Sequence, residues 1–279
     1  MTPGAPPRRP PRWEERLGLF LLQAFAPEGG APAETATPEQ LAPFEETTVP
    51  LRSGGSLSAT FYPSAAAEAR GAVLLLHPWL PYGKAYFHRR GRLGALREAG
   101  YHVLTPDLPG FGKSTRPDRF FDVAIEDALS FLRARAGGLP VHLWGVSAGG
   151  HWSHPLLARD PGIPAAFFED VSPHLLEWSW RSAPWGRPFY LLFRAFLRRA
   201  YRFGDMRLHA AALRGRLLHY VAGAEDPSIP AEDSRRLAAA SGSPLLLVPE
   251  AGHLGSIKLA QNQIVTAALE LFARAEAER

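Results

Sequence analysis

A serine between glycines is the chain's clearest indication of chemistry. Ser147 stands in Gly145-Val146-Ser147-Ala148-Gly149-Gly150, which follows the apolar run Val141-His142-Leu143-Trp144 and precedes a helical stretch. A G-x-S-x-G turn between a strand and a helix exposes the serine hydroxyl, and its glycines let the two elements pass closely. We therefore predict that Ser147 is a nucleophile; the alternative is a turn that happens to contain Gly and Ser.

A serine nucleophile needs a base, and six histidines follow Ser147 along the chain. We predict that His253 is the base, because it lies between the last predicted strand and the last predicted helix, in a loop that can reach Ser147. His209 and His219 fall in an insert and in a predicted strand, and are predicted to be structural. His151, one helical turn beyond Ser147, either lines the pocket or is an ordinary helix residue.

The base in turn needs an acid that orients it, in the chain order Ser, acid, His. Asp226 lies in Gly223-Ala224-Glu225-Asp226-Pro227, directly after a predicted strand. From there Asp226 can accept a hydrogen bond from His253 Nδ1–H, fix the tautomer and stabilise the imidazolium that forms. Asp170, which follows the preceding predicted strand, is the main alternative, and Glu225 is a lesser one.

The tetrahedral oxyanion needs hydrogen-bond donors that are already in place. One is the backbone N–H of Ala148, directly after the nucleophile. The second comes from His77-Pro78-Trp79-Leu80, after another predicted strand. Since proline has no N–H, Trp79 or Leu80 must donate, and we predict Trp79. The Trp79 ring either walls the substrate pocket or packs on the core, and we also assign His77 and Leu80 to the pocket.

Apolar runs and helical periods alternate along the chain after residue 44. A hairpin at 47–51 and 57–62 is followed by predicted strands at 72–76, 101–105, 140–146, 165–170, 216–222 and 244–248. Predicted helices lie at 84–99, 120–136, 148–158, 230–240 and 256–276. This alternation predicts an α/β fold, an open, mostly parallel sheet with helices on both faces and an insert at about 172–214. Ligands of such sheets bind at the carboxyl ends of the strands.

Together these segments resemble the α/β-hydrolase superfamily over residues 45–276. Five pieces match, and they occur in the family's order. They are the oxyanion loop (His77-Pro78-Trp79), the loop after the next strand (Asp107–Ser114), the nucleophile turn (Gly145–Gly150), the acid loop (Gly223–Asp226) and the base (Gly252-His253). Pro78 stands where the family more often has glycine. The resemblance implies the α/β-hydrolase fold, a triad of Ser147, Asp226 and His253, and a helical lid at the insert.

The insert interleaves aromatic residues with arginines. Phe189, Phe193 and Phe196 fall on one helix face, and the arginines lie mainly off it. The functional interpretation is an apolar lid over an acyl pocket, with Trp185 and Phe189 as pocket walls and the arginines facing solvent or lipid headgroups. The alternative is an amphipathic helix that only covers the sheet.

Residues 1–43 are predicted to precede a hydrolase domain at 44–279. They comprise a tail rich in Pro and Arg, a helical period from Trp13 to Phe25 and a linker at 27–43. The helix is predicted to dock on the body or to lie at a membrane surface. The alternative is a secretion signal that ends at Ala24-Phe25-Ala26. The predicted location is the cytoplasm, and a secretion signal would instead mean export.

Composition excludes several classes of protein. The chain has 279 residues, of which 46% are apolar and 21% charged, as in a globular protein, and no apolar run is long enough to span a membrane. The absence of cysteine excludes disulfides, thiolate metal sites and cysteine nucleophiles. We expect no metal, because the sequence has no H-E-x-x-H motif or other metal cluster, and we expect no cofactor. We also expect no nucleic-acid partner, because a net charge of +4 is not the dense basic surface of a nucleic-acid binder.

The predicted function is that of a serine hydrolase, a carboxylesterase that cleaves small-molecule esters with apolar acyl or alcohol groups through an acyl-enzyme. A thioesterase, a carbon–carbon bond hydrolase, a perhydrolase or an acyltransferase would use the same triad. An alternative of another class is a non-catalytic binding protein on a hydrolase fold. The acyl chain length and the oligomeric state are left open.

Overall fold

The computed structural model describes residues 6–23, 41–88, 91–182, 184 and 186–279. Its strands are β1 (Glu45–Pro50), β2 (Ser56–Tyr62), β3 (Gly71–Leu76), β4 (Tyr101–Pro106), β5 (Val141–Val146), β6 (Ala165–Glu169), β7 (Leu217–Gly223) and β8 (Leu245–Val248). Its α-helices are α1 (Arg12–Gln23), α2 (Arg92–Glu98), α3 (Phe121–Arg135), α4 (Ala148–Arg159), α5 (Leu175–Ser182), α6 (Gly186–Phe196), α7 (Arg198–Phe203), α8 (Met206–Ala211), α9 (Ala231–Ser241), α10 (Ser256–Leu259) and α11 (Gln261–Ala277).

The eight strands form one sheet in the order β1-β2-β4-β3-β5-β6-β7-β8. β1 and β2 make the predicted hairpin, and β2 also pairs antiparallel with β4. Every further pair, from β3–β4 to β7–β8, is parallel. The predicted α/β fold with an open, mostly parallel sheet is therefore confirmed, and the loops that follow β3, β5, β6, β7 and β8 meet at one edge.

The sheet separates two hydrophobic cores, as expected for helices on both faces. β3 is buried along its whole length. Leu74 and Leu76 pack into the core under α3, α4 and the insert helices. The alternating residues Val73 and Leu75 pack into the core under α2 and α11. A continuous apolar run is thus needed because both faces of this strand are covered.

Two predicted helices are each interrupted. The segment predicted at 84–99 consists of a 3₁₀ helix, Gly83–His88, and α2, which begins after Gly91. Gly91 has φ 67°, a left-handed conformation that does not continue a helix. The last predicted helix breaks at Ala260 into α10 and α11. A helical period in sequence cannot show such a break, because both halves keep an apolar face on the core.

The helix predicted from Trp13 to Phe25 is present as α1, and its predicted end at residues 24–26 lies outside the described residues. Leu19 is 2% exposed, and the backbone at Gly18 passes beside the rings of Phe120 and Phe193. The Glu15 carboxylate accepts a hydrogen bond of 2.6 Å from the N–H of Phe120, just before α3. α1 therefore docks on the body, while the boundary at residue 43 stays a prediction.

Candidate active site

Ser147 lies in a strained turn between β5 and α4. Its φ and ψ are 48° and −112°, a conformation that costs a non-glycine residue free energy. The backbone holds it there, because Ser147 N–H donates to the carbonyl of Glu169 at 2.8 Å and its own carbonyl accepts from His151 N–H at 2.8 Å. This is the geometry that the G-x-S-x-G pattern predicts.

The flanking glycines are required by close backbone contacts. A Cβ atom on Gly145 would lie 2.4 Å from the α-carbon of Gly150. A Cβ on Gly149 would lie 2.4 Å from the carbonyl oxygen of Leu76, at the end of β3. Neither contact can relax by moving a flexible side chain, because both partners are backbone atoms. The turn thus brings Ser147 to the edge where β3 and β5 end.

The structure brings the three predicted triad residues together. Ser147 Oγ lies 3.4 Å from His253 Nε2, a long hydrogen bond of the kind common in sites without substrate. His253 Nδ1 lies 2.7 Å from Asp226 Oδ2. A carboxylate can only accept, so Nδ1 carries the proton and the Nε2 lone pair faces the serine. The other oxygen of Asp226 accepts from the N–H groups of Ser228 and Ile229, at 2.8 and 2.9 Å.

Asp170, the alternative acid, has a different position. Its carboxylate accepts from Gly223 N–H at 3.1 Å and from Leu254 N–H at 3.1 Å, and makes no hydrogen bond to the His253 ring. It therefore ties the start of the acid loop to the residue after the base. Burial, with the nearby carboxylates of Glu169 and Asp226, raises the pKa of Asp170 to about 7. The lesser alternative, Glu225, is exposed.

The two predicted oxyanion donors line one cavity with the nucleophile. Ala148 begins α4, and it lines this cavity together with Ser147 and Trp79. The N–H of Leu80 is already used, since it donates to the carbonyl of Pro78 at 2.8 Å. Leu80 is therefore less suited as the second donor, and the assignment of that role to Trp79 stays a prediction.

His77 supports this loop and does not wall the pocket, contrary to the prediction. It is completely buried. Its Nδ1–H donates to the carbonyl of Pro78 at 2.8 Å, and its Nε2 accepts from Leu108 N–H at 2.8 Å. Burial also lowers the pKa of His77, so the neutral ring is free to make both bonds. The consequence is a fixed oxyanion loop rather than a substrate contact.

The cavity at Ser147 is small, about 20 Å³, and most of the residues that line it are apolar. Besides the residues named above, it is lined by His151, Ser172, Leu175, Trp178 and Ile229. His151 is one of these lining residues, which agrees with the first of the two alternatives considered for it. Leu175 and Trp178 belong to α5, so the first insert helix forms the wall.

Two residues that were predicted to line the pocket, Leu80 and Phe189, are not among the residues that line this cavity. Leu80 packs against the core on the opposite side of the sheet. Phe189 packs, half-buried, against the other core and is not among the lining residues. Trp185 lies outside the described residues. The insert residues that line this cavity belong to α5, which begins six residues after β6, whereas the sequence indicated residues of the later helix α6 and the turn before it.

Two further observations concern ions and membranes. Among the described residues, no group of three His, Asp or Glu side chains comes together in a way that could hold a metal ion. None of the helices in the described part of the chain is long and apolar enough to cross a membrane.

Comparison with known proteins places this arrangement in a family. The model of the alpha/beta hydrolase family matches residues 73–258. An AB hydrolase superfamily protein of Gibberella zeae is 31% identical over 91 residues; the match covers 32% of this chain and only 31% of that relative. An esterase of Pyrococcus furiosus has a similar structure, with a TM-score of 0.69 at 16% identity, covering 89% of this chain and 97% of that one.

The esterase domain of a Rhodothermus marinus protein is also similar, with a TM-score of 0.59 at 19% identity, covering 84% of this chain and 98% of that domain. At such identities the structural likeness concerns the fold. The family model, however, spans two thirds of the sequence and includes the loop after β3, the turn at Ser147 and His253. The chain belongs to the alpha/beta hydrolase family.

Proposed function

We propose that this protein is a serine hydrolase, a carboxylesterase that cleaves esters with apolar acyl or alcohol groups through an acyl-enzyme. The observation that carries the proposal is the chain of hydrogen bonds from Ser147 Oγ through His253 to Asp226. Nucleophile, base and orienting acid are the parts that serine catalysis requires.

In acylation, His253 Nε2 takes the proton of Ser147 as Oγ bonds to the ester carbonyl carbon. The carbonyl oxygen becomes an oxyanion and accepts from the N–H groups of Ala148 and Trp79. The intermediate collapses, the C–O bond to the alcohol breaks, and His253 gives its proton to the departing oxygen. In deacylation water takes the place of the alcohol, His253 accepts its proton, and the acid leaves as Ser147 regains a hydrogen.

Asp226 holds the His253 ring and stabilises it while it is an imidazolium. Its own position depends on two backbone N–H groups in the loop after β7. The preference for apolar groups is supported by the pocket wall, which includes Trp79, Leu175, Trp178 and Ile229. Two relatives of similar fold are named esterases, which favours an ester over a thioester or a carbon–carbon bond.

The test is a fluorophosphonate probe together with a panel of substrates. The probe should label the parent protein and not Ser147→Ala, which separates a serine hydrolase from a binding protein on the same fold. p-Nitrophenyl esters of increasing acyl length, run beside acyl-CoA thioesters, identify the bond that is cleaved. Absence of labelling, with no turnover of any substrate, would overturn the proposal.

A further inference from the structure

His151 lies between two small cavities beneath the insert helices. One is the cavity at Ser147. The second, the inner cavity, has a volume of about 30 Å³ and is lined by Trp152, Leu176, Phe193 and Phe203 among others. His151 and Leu175 line both cavities. An acyl chain bound to Ser147 that extends toward the inner cavity would therefore pass His151.

The His151 ring presents an unused acceptor. His151 is only 1% exposed, and its Nδ1 lies 3.0 Å from the carbonyl oxygen of Ser172. A carbonyl only accepts, so Nδ1 carries the proton. Burial lowers the pKa of His151 to about 3, so the ring is neutral and Nε2 holds a lone pair. Among the described residues Nε2 has no hydrogen-bond partner.

A donor without a partner accompanies this acceptor. Trp152 lines the inner cavity, and its buried indole Nε1–H also lacks a partner in the described part of the chain. Of the nearby buried histidines, His154 and His174 use both ring nitrogens, whereas His209, which lines neither cavity, also has one without a partner among the described residues. Leaving a buried polar group unpaired is costly, so an acceptor and a donor beside a cavity indicate that a polar group belongs there.

We propose that His151 Nε2 and Trp152 Nε1–H form a polar subsite that binds a hydroxyl group on the acyl chain of the substrate. A hydroxyl both donates and accepts, so one group can serve both. Because His151 is one helical turn from Ser147, about 5–6 Å between Cβ atoms, the hydroxyl belongs about two or three carbons from the ester carbonyl. The substrate class is thus a short hydroxyacyl ester, and this inference rests on the proposed esterase function.

The test compares p-nitrophenyl 3-hydroxybutyrate with p-nitrophenyl butyrate, each rate divided by that of its alkaline hydrolysis. We expect the parent enzyme to prefer the hydroxy ester in kcat/KM by about tenfold or more. His151→Leu removes the acceptor and should bring this ratio close to one, while His151→Gln, whose amide oxygen accepts, should restore part of it. The ratio does not depend on the fraction of each variant that folds.

His154→Leu is the matched control, because His154 lies on the same helix and is buried but lines neither cavity. It should keep the parent ratio. If butyrate is hydrolysed and the ratio is near one in both the parent and His151→Leu, the subsite holds only water and the inference is wrong while the esterase function stands. If the fluorophosphonate probe does not label Ser147 and neither ester is cleaved, the proposed esterase function and the proposed subsite are both wrong.

A second inference comes from the opposite side of the insert. On α1 the side chains of Trp13, Leu17 and Phe20 are 61%, 40% and 69% exposed. Their spacing places them in one stripe that faces away from the docked side of the helix. On α6, beside α1, Leu191 and Phe196 are 56% and 77% exposed. Monomeric proteins rarely expose so many large apolar side chains in neighbouring elements without a partner.

The same surface carries unpaired positive charge. Six exposed arginines lie on these helices and on α7, and within the described ranges none of them has an ion pair: Arg12, Arg16, Arg194, Arg198, Arg199 and Arg202. Arg181 and Arg207, elsewhere on the insert, are paired with carboxylates. Apolar side chains together with unpaired arginines match an anionic lipid surface, where the first enter the headgroup region and the second bind phosphate.

We infer that α1, α6 and α7 bind the surface of an anionic membrane. The Ser147→Ala protein, which cannot turn over lipid, should sediment with phosphatidylcholine vesicles containing about 30 mol % phosphatidylserine and only weakly with pure phosphatidylcholine. Replacing Arg198, Arg199 and Arg202 by Gln should weaken binding about a hundredfold. Replacing Arg235 and Arg236, exposed on α9, by Gln is the control and should leave it unchanged.

Equal binding to both kinds of vesicle, or none, would overturn this inference. Self-association of the vesicle-free protein, lost in Phe20→Asp, would mean that a second copy covers the surface instead. Neither outcome depends on the esterase activity.

Discussion

Two regions differ in how their side chains are held: the carboxyl edge of the sheet, where charged side chains are buried and hydrogen-bonded, and the outer surface of α1, α6 and α7, where they are exposed. At the sheet edge the buried carboxylates of Asp226, Asp170 and Glu169 each accept two or more hydrogen bonds. On the outer surface large apolar and arginine side chains point into solvent. Backbone hydrogen bonds therefore hold the side chains to which we assign the chemistry, whereas the side chains on the outer surface are exposed.

The largest effect is expected at Ser147. Ser147→Ala should lower kcat by about 10⁶, because it removes the atom that forms the acyl-enzyme. The melting temperature should stay near that of the parent, since the backbone around residue 147 makes the hydrogen bonds that hold the turn. Turnover of p-nitrophenyl butyrate and thermal unfolding check the two parts. Activity within tenfold of the parent would contradict the nucleophile assignment.

The next effect distinguishes the two acids. Asp226→Asn should lower kcat by about 10⁴, because an amide favours the wrong tautomer of His253. Asp170→Asn should cost far less activity, since Asp170 binds backbone N–H groups and not the ring. The two variants are compared under the same conditions. If Asp170→Asn shows the larger loss, the acid is Asp170.

Much of this edge could be predicted from sequence because its determinants are local. A strand buried on both faces, such as β3, is a continuous apolar run, and a turn that admits no Cβ shows glycines at fixed positions. The arrangement of Ser147, Asp226 and His253 follows from their place after strands of a parallel sheet. Their catalytic roles stay predictions until the variants above are measured.

The pocket wall could not be predicted in the same way. Which insert helix covers Ser147 depends on how the helices pack, and both α5 and α6 have an apolar face. The direction of a loop side chain, such as Leu80, is likewise a tertiary outcome. His77 looked like a pocket residue because it ends a strand at the right edge, yet both of its nitrogens bond to backbone.

Asp170 also predicts how stability depends on pH. Its pKa in the folded protein, about 7, lies above the ordinary 3.8. Between these values the folded state holds a proton that the unfolded state has released. The stabilisation is therefore complete below about pH 4 and is lost as the pH rises through about 7. The free energy of unfolding of the parent, minus that of Asp170→Asn, should fall by a few kcal/mol between about pH 4 and pH 8. A difference that does not change with pH would show that Asp170 is not protonated in this way.

The two faces of α1 should differ in their contribution to stability. Leu19→Ala should lower the free energy of unfolding by about 2–4 kcal/mol, because it leaves a cavity under α1. Phe20→Ala, one residue along and largely exposed, should change it by less than about 0.5 kcal/mol. Denaturant unfolding measures both. Equal effects would mean that α1 does not dock as described.

The smallest effect concerns the wall of the pocket, where the sequence-based prediction and the structure disagree. An apolar acyl pocket should favour butyrate over acetate by about 15-fold in kcat/KM, since each buried methylene contributes about 0.8 kcal/mol if the gain is realised in the transition state. Trp178→Ala should reduce this ratio to a few-fold, because Trp178 lines the cavity.

Phe189→Ala is the matched control, since Phe189 is an aromatic residue of the next insert helix that packs on the core outside the lining. It should keep the parent ratio of butyrate to acetate. A ratio reduced by Phe189→Ala and not by Trp178→Ala would mean that α6 forms the wall. A ratio changed by neither variant, or a parent enzyme that prefers acetate, would mean that the insert only covers the sheet and that the acyl group binds elsewhere along its edge.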